Sequence, residues 1–134
     1  MFAGGSEHPL REPSRVLLRE AAAERLDAVI SAEVVQEIFH RFLAIGRART
    51  GVEMASAALD LFAPVIPVTH SLMLRMPRLV EKYPDLAARD LVHVATCAEE
   101  GIGTIISPDR AFDQVEGLQR VAPDDLEGVA ALLT

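Results

Sequence analysis

Residues 88–113, ARDLVHVATCAEEGIGTIISPDRAFD, contain in order a helix, a short strand and a turn, and this stretch decides the fold. Apolar residues recur at helical spacing in its first half, and Gly101 with Gly103 ends the helix. Residues 104–106 then form a short apolar strand, and residues 107–109 turn the chain into a further helical turn. A helix followed directly by a buried strand predicts one unit of an α/β protein.

The rest of the chain repeats this alternation of helices and short apolar segments. Strands are predicted at residues 27–30, 65–68, 104–106 and 118–121. Helices are predicted at residues 13–23, 31–45, 50–62, 70–83, 85–101 and 124–133. Pro67 places the second strand at an edge of the sheet, because proline has no N–H to donate. The order predicts one domain over residues 1–134, a three-layer α/β/α sandwich with a mainly parallel sheet.

Length and composition are those of an ordinary globular domain. The chain has 134 residues, and 50% of them are hydrophobic, so it can bury a substantial core. Cys97 is its only cysteine, which excludes an intrachain disulfide and favours a reducing compartment. No apolar run approaches the roughly 18 residues of a membrane span. The sequence therefore predicts a soluble cytoplasmic protein.

The net charge of −7 is opposite in sign to that of a simple nucleic-acid-binding protein. It argues against non-specific binding of DNA or RNA, but it does not exclude a nuclease whose bound cations offset a carboxylate cluster. With one Tyr, no Trp and five Phe, stacking of bases on an aromatic surface is not expected. Any RNA specificity would come from shape and phosphate contacts.

Three acidic residues, Glu37, Asp90 and Asp109, each lie just after a point where a predicted strand gives way to a helix. Because the carboxyl ends of parallel strands share one edge of the sheet, the three side chains are expected to converge there. Converging carboxylates repel one another unless a divalent cation joins them. The arrangement predicts a Mg²⁺ or Mn²⁺ site in a phosphodiesterase that acts on nucleic acid.

Further polar residues accompany these acids. Asp113 comes one helical turn after Asp109, where it can add a ligand or an outer contact, and Ser107 can hydrogen-bond a ligating carboxylate. His93 lies one turn from Asp90, and two interpretations stay open for it: contact with substrate or metal, or a hydrogen-bonded position beside the core. Catalysis by a thiol and a glycine-rich phosphate loop are not expected.

Three segments carry the most specific pattern. They are SAEVVQE at residues 31–37, ARDLVHVA at residues 88–95 and SPDRAFD at residues 107–113. Over nearly the whole chain the sequence resembles the PIN-domain ribonucleases, and among them the VapC-type toxins of bacterial toxin–antitoxin pairs. The resemblance implies a Mg²⁺-dependent endoribonuclease with Glu37, Asp90 and Asp109 as acidic site residues. It also implies a homodimer and inhibition by a small VapB-like antitoxin.

One part of the family pattern has no counterpart in this sequence. The family opens with a central strand that ends in a metal-binding Asp, whereas residues 1–5, MFAGG, resemble the stretch that follows this strand. We therefore expect a PIN-like sheet that lacks its usual first central strand and one metal ligand, as a misplaced start codon or a truncated gene would produce. Weak metal binding and low stability are the expected consequences.

Two other functions are compatible with parts of the pattern. A PIN remnant without turnover would still bind an antitoxin or a homologous subunit. A receiver-like signalling module also gathers acids around Mg²⁺, but it requires a lysine after a late strand, and the only lysine, Lys82, lies in a predicted helix. Several arginines can follow either the phosphates of RNA or the antitoxin. They are Arg11, Arg15, Arg41, Arg47 and Arg49.

Overall fold

Helices surround a small parallel sheet in the computed structural model, which describes residues 8–134. The helices are α1 (Arg11–Ala22), α2 (Ala32–Ala44), α3 (Ala48–Leu61), α4 (His70–Met73), α5 (Met76–Lys82), α6 (Ala88–Glu100) and α7 (Leu126–Ala130), with a 3₁₀ helix at Arg110–Gln114. The strands are β1 (Thr104–Ile106) and β2 (Gln119–Val121). The predicted α/β class is confirmed. The expectation for residues 1–5 lies outside the described residues.

The two strands pair in parallel, with Thr104 opposite Gln119 and Ile106 opposite Val121. Parallel neighbours need a crossover of about a dozen residues. Here residues 107–118 supply it, and they contain the 3₁₀ helix. This crossover leaves the carboxyl end of β1 and therefore carries Asp109 at the edge of the sheet where ligands bind in such folds.

The strands predicted at residues 27–30 and 65–68 are reduced to one parallel bridge between Ser31 and Ile66. The Ile66 N–H donates to the Ile30 carbonyl over 2.9 Å, and the Ala32 N–H donates to the Ile66 carbonyl over 2.8 Å. The predicted length was wrong for two physical reasons. Ala32 already begins α2, and Pro67 has no N–H with which to continue the ladder.

Several helix boundaries differ from the prediction. The helix predicted over residues 70–83 is divided into α4 and α5, because Pro77 lies in the first turn of α5 and cannot donate to the preceding turn. Helix α6 begins at Ala88 rather than at Asp85, so Asp90 lies in its first turn and not in its second. Helix α3 begins two residues before Thr50, and α7 is shorter than predicted.

The buried apolar residues form two clusters. The first lies between α5, α6 and the 3₁₀ helix and contains Tyr83, Leu86, Leu91, Val94, Phe112 and Val115. The second lies between α2 and α3 and contains Ile38, Phe42 and Ala55. Helix α2 from the second cluster and helix α6 from the first are in contact. Within residues 8–134, no helix has the length and apolar content needed to cross a membrane.

Candidate functional site

A hydrogen bond between Glu37 and His93 links α2 to α6. His93 Nε2 lies 3.0 Å from Glu37 Oε1, and the two side chains are only 15% and 22% exposed. The imidazole ring also meets the buried ring of Phe112 edge-on, with the ring centroids 6.5 Å apart. Of the two interpretations left open for His93, the structure therefore supports the hydrogen-bonded position beside the core. The bond holds the Glu37 carboxylate against α6.

Asp90 is half-buried in the first turn of α6, and its environment disfavours the charged form. Burial raises the pKa of Asp90 most, and the negative charges of Asp109 and Glu37 raise it further, while His93 and Arg89 lower it. Asp90 thus lies within the electrostatic field of both other predicted site acids. In residues 8–134, no basic side chain forms an ion pair with Asp90 or with Asp109.

Asp109 is exposed and begins the 3₁₀ helix that follows β1. Its Oδ1 accepts a hydrogen bond from the Ala111 N–H over 2.9 Å, which caps the first turn. Its own N–H donates to Ser107 Oγ over 3.1 Å. Ser107 Oγ thus accepts a hydrogen bond from the backbone of Asp109, and a hydrogen bond from the Ser107 hydroxyl to a ligating carboxylate stays a prediction. The two contacts hold the turn and so fix the direction of the Asp109 side chain.

Asp113, the fourth predicted acid, contacts an arginine that the sequence analysis missed. Arg120 Nε lies 2.8 Å from Asp113 Oδ1, and Arg120 Nη2 lies 3.4 Å from Asp113 Oδ2. Arg120 Nη1 also donates to the Ser107 carbonyl over 3.0 Å. The available signal was a basic residue inside a predicted strand, because a charged side chain that is partly buried needs a partner.

Within the described residues, no three His, Cys, Asp or Glu side chains are close enough together to hold a metal ion by themselves. Mg²⁺ does not require such a cage, since it keeps several waters and is often bound by one or two carboxylates together with substrate phosphate. The donor set at Glu37, Asp90 and Asp109 consists of oxygens only, and the pKa of Asp90 is raised first by burial and then by the charges of Asp109 and Glu37. The chemistry of these donors fits a hydrated divalent cation rather than a cation enclosed by three side chains of the described residues.

Cys97 lies on the same helix as Asp90 but takes no part in this arrangement. Its side chain is partly buried, and burial raises the pKa of its thiol. A thiol with a raised pKa is mostly protonated at neutral pH and is a poor nucleophile.

Known proteins of one family are similar to this chain over most of its length. Residues 2–118 match the PIN domain. Ribonuclease VapC7 of Mycobacterium tuberculosis is 35% identical over 142 aligned positions, which cover 99% of this chain and 92% of that protein. Ribonuclease VapC13 of the same species is 32% identical over 122 residues, 91% of this chain and 93% of the relative.

A third relative, ribonuclease VapC23 of Mycobacterium tuberculosis, is 32% identical over 112 residues, which cover 84% of this chain and 88% of that protein. No solved structure matches the chain. The family match spans the crossover with Asp109, the first turn of α6 and most of the described fold. The chain belongs to the PIN-domain family and, within it, to the VapC proteins.

Proposed function

We propose that this protein is a VapC-type endoribonuclease that hydrolyses phosphodiester bonds in RNA with the help of Mg²⁺ or Mn²⁺. The observation that carries the proposal is the environment of Asp90, which is half-buried in the first turn of α6, feels the negative charges of Asp109 and Glu37 and has no basic ion-pair partner among the described residues. Such a site is unfavourable unless a cation is bound. The names of the relatives, all VapC ribonucleases, support the choice of RNA as substrate.

Glu37, Asp90 and Asp109 are the residues that we assign to the cation. When bound, a divalent cation neutralises charge that develops on phosphate oxygens and makes a water molecule a better nucleophile at neutral pH. The protein contributes by holding its carboxylates in place before the RNA arrives, which lowers the cost of organising the site.

Each carboxylate is oriented in a different way. His93 holds one oxygen of Glu37 and thereby turns this side chain towards α6. The Ser107 hydroxyl and the Ala111 N–H hold the turn at Asp109, and this leaves Asp109 Oδ2 available to a ligand. Asp90 is placed by the start of α6, where the helix dipole favours a negative charge. The chain thus presents carboxylate oxygens from three different elements.

We also propose that the protein acts in the cytoplasm as a homodimer and is inhibited by a small VapB-like antitoxin. Large apolar side chains are exposed at the end of α2, where Leu43 is 60% and Ile45 is 58% exposed. An open groove of about 740 Å³ follows the same helix past Val35 and Phe39. Exposed apolar surface of this kind supports a protein partner.

The test of the proposed function is cleavage of a structured RNA by the 134-residue protein with Mg²⁺, with Mn²⁺ and with EDTA. We expect cleavage that depends on the cation and that falls by about 100-fold or more in Asp90→Asn, because the variant loses a charge that stabilises the reacting centre. Asp60→Asn is the matched control, since it makes the same change at an exposed position on α3. Cleavage in EDTA, or an Asp90→Asn variant as active as the wild type, would contradict the proposal.

A further inference from the structure

Arg120 is the basic side chain that binds most closely to the segment carrying Asp109. Its guanidinium group makes three hydrogen bonds, two to the Asp113 carboxylate and one to the Ser107 carbonyl. Only 14% of the Arg120 side chain is exposed, against 54% of the Asp113 side chain. A planar guanidinium group that forms several directed bonds restricts its partners more than a lysine ammonium group does.

The contacts of Arg120 are at the two ends of one segment, residues 107–113. Ser107 is the first residue of this segment and Asp113 is the last, and Asp109 lies between them. Strand β2 also holds the first end through its backbone, because the Ser107 N–H donates to the Val121 carbonyl over 3.0 Å. A single side chain on β2 therefore bridges the two ends of the turn.

The charge distribution agrees with this geometry. The Asp113 carboxylate is the main cause of a raised pKa of Arg120, and Asp109 and Asp124 add to it at longer range. Arg120 thus lies in the field of Asp109 but forms its ion pair with Asp113. It can reduce the repulsion around Asp109 without occupying the oxygens of that carboxylate.

The same contacts bear on the role of Asp113. In the structure both of its oxygens face Arg120, at 2.8 and 3.4 Å. To bind a cation, the carboxylate would have to give up at least one of these charge-assisted hydrogen bonds to Arg120. The arrangement favours an anchoring role for Asp113 over a ligand role.

We propose that Arg120 is a positioning residue for Asp109: together with its anchor Asp113, it clamps the segment 107–113 and holds the Asp109 carboxylate in place at the carboxyl end of β1. This inference rests on the proposed function, in which Asp109 binds the cation. Arg120 and Asp113 then affect cation binding only indirectly, through the position of Asp109, and touch neither the cation nor the RNA.

The experiment measures two quantities on the full chain, the Mn²⁺ affinity by titration calorimetry and the hydrogen exchange of single backbone amides by NMR. The variants are Arg120→Met, Arg120→Lys, Asp113→Asn and the double variant Arg120→Met/Asp113→Asn. Arg78→Met is the matched control, because it removes an equal charge from an exposed position on α5.

We expect Arg120→Met to weaken Mn²⁺ binding by about 10- to 100-fold, as loss of an outer contact to a metal ligand does. The amides of Asp109 and Ala111 should exchange at least about tenfold faster, while those of α6 stay unchanged. Asp113→Asn should also weaken Mn²⁺ binding. The double variant should bind Mn²⁺ no more weakly than Arg120→Met alone, since both substitutions break the same ion pair. Arg120→Lys should restore little of the Mn²⁺ affinity, because lysine keeps the positive charge but lacks the planar guanidinium group that bonds Asp113 and Ser107 at the same time.

Three results would overturn the proposal. Tighter Mn²⁺ binding by Arg120→Met would mean that Asp113, once released, is itself a ligand. Wild-type Mn²⁺ affinity and wild-type amide exchange in Arg120→Lys would show that a positive charge at this position is sufficient. Unchanged exchange at Asp109 and Ala111 would show that the clamp does not hold the turn.

The exchange measurement also separates this inference from the proposed function. If the wild type binds no Mn²⁺, the proposed function fails, and the exchange rates alone decide whether Arg120 holds Asp109. If Arg120→Met unfolds, Asp113→Asn tests the same clamp from its exposed end. Unchanged exchange in a folded Asp113→Asn variant would then contradict the inference.

Discussion

At the scale of single residues, Asp90 connects the site to the stability of the fold. Its charged form is disfavoured by burial and by the neighbouring charges of Asp109 and Glu37. The unfolded chain has none of these effects, so the ionised carboxylate lowers the stability of the native state. Natural proteins often keep such unfavourable groups where function needs them. Asp90 therefore links cation binding and stability.

We predict that Asp90→Asn raises the melting temperature at pH 7 in EDTA. The folded state raises the pKa of Asp90 above its usual value of 3.8, so the folded state binds the proton more tightly and stability falls as the pH rises through the folded pKa. Below 3.8 the group is protonated in both states, and the advantage of the variant should disappear. Thermal melts of both proteins between pH 3 and pH 8 measure the difference.

Addition of Mg²⁺ or Mn²⁺ supplies a control for this prediction. A cation bound at the site offsets the repulsion, so it should raise the melting temperature of the wild type more than that of Asp90→Asn. A variant that is no more stable than the wild type at pH 7, or that gains its advantage only in acid, would show that burial and repulsion at Asp90 do not destabilise the fold.

At the scale of elements, α2 and α3 pack closely because Gly51 lies where they meet. A Cβ atom added to Gly51 would lie 2.9 Å from the Cβ of Phe42, which is shorter than a normal contact. Phe42 is 2% exposed, and Ala55, one turn further along α3, is fully buried. Protein interiors are packed too densely to absorb a methyl group at such a place without a shift. The orientation of α2, and with it that of Glu37, depends on this contact.

We predict that Gly51→Ala lowers the free energy of unfolding by about 1 to 3 kcal/mol, as overpacking does. This outcome is opposite to the gain of about 1 kcal/mol that alanine brings to an open helix position. Denaturant titration measures the change. Gly103→Ala is the control, because a Cβ atom there has no neighbour within 4 Å and the change should be nearly neutral. A Gly51→Ala protein at least as stable as the wild type would refute the packing explanation.

At the scale of the whole molecule, the net charge of −7 restricts how RNA can bind. Strong non-specific binding requires many cationic contacts to phosphates, and it weakens steeply with salt. Here the acidic site adds local repulsion to an overall negative charge. RNA should therefore bind through a few phosphate contacts and through the cation, rather than along an extended basic surface.

We predict that the cleavage-impaired Asp90→Asn variant binds a labelled single-stranded RNA weakly, with a shallow dependence on salt. The slope of log K on log salt should be smaller in magnitude than about 3, which corresponds to about four neutralised phosphates or fewer. Fluorescence anisotropy at increasing NaCl concentrations measures this slope. Tight binding in EDTA with a steep slope would instead indicate a basic RNA-binding surface.

Patterns within short stretches of sequence were sufficient to predict much of the fold. The helices that became α2 and α6 follow from apolar spacing, and the strands at residues 104–106 and 118–121 were placed within one residue of β1 and β2. The short bridge at Ser31 and Ile66 was not predicted, because the length of a strand pair depends on the backbone N–H and C=O groups that the opposite segment has free to bond. The position of Asp109 just after β1 could likewise be inferred from order alone, whereas Asp90 lies in the first turn of α6 and not, as predicted, in the second.

The sequence by itself determined the fold class, the parallel direction of the strands and the set of acidic candidates, since periodicity, capping and turn residues act over a few neighbours. Only the tertiary structure decided which side chains meet. Glu37 and His93 are 56 positions apart, and Arg120 could have been paired with any of several acids. Contacts of this kind, and the pKa of Asp90 that follows from them, depend on distance and burial between elements that the chain order does not specify.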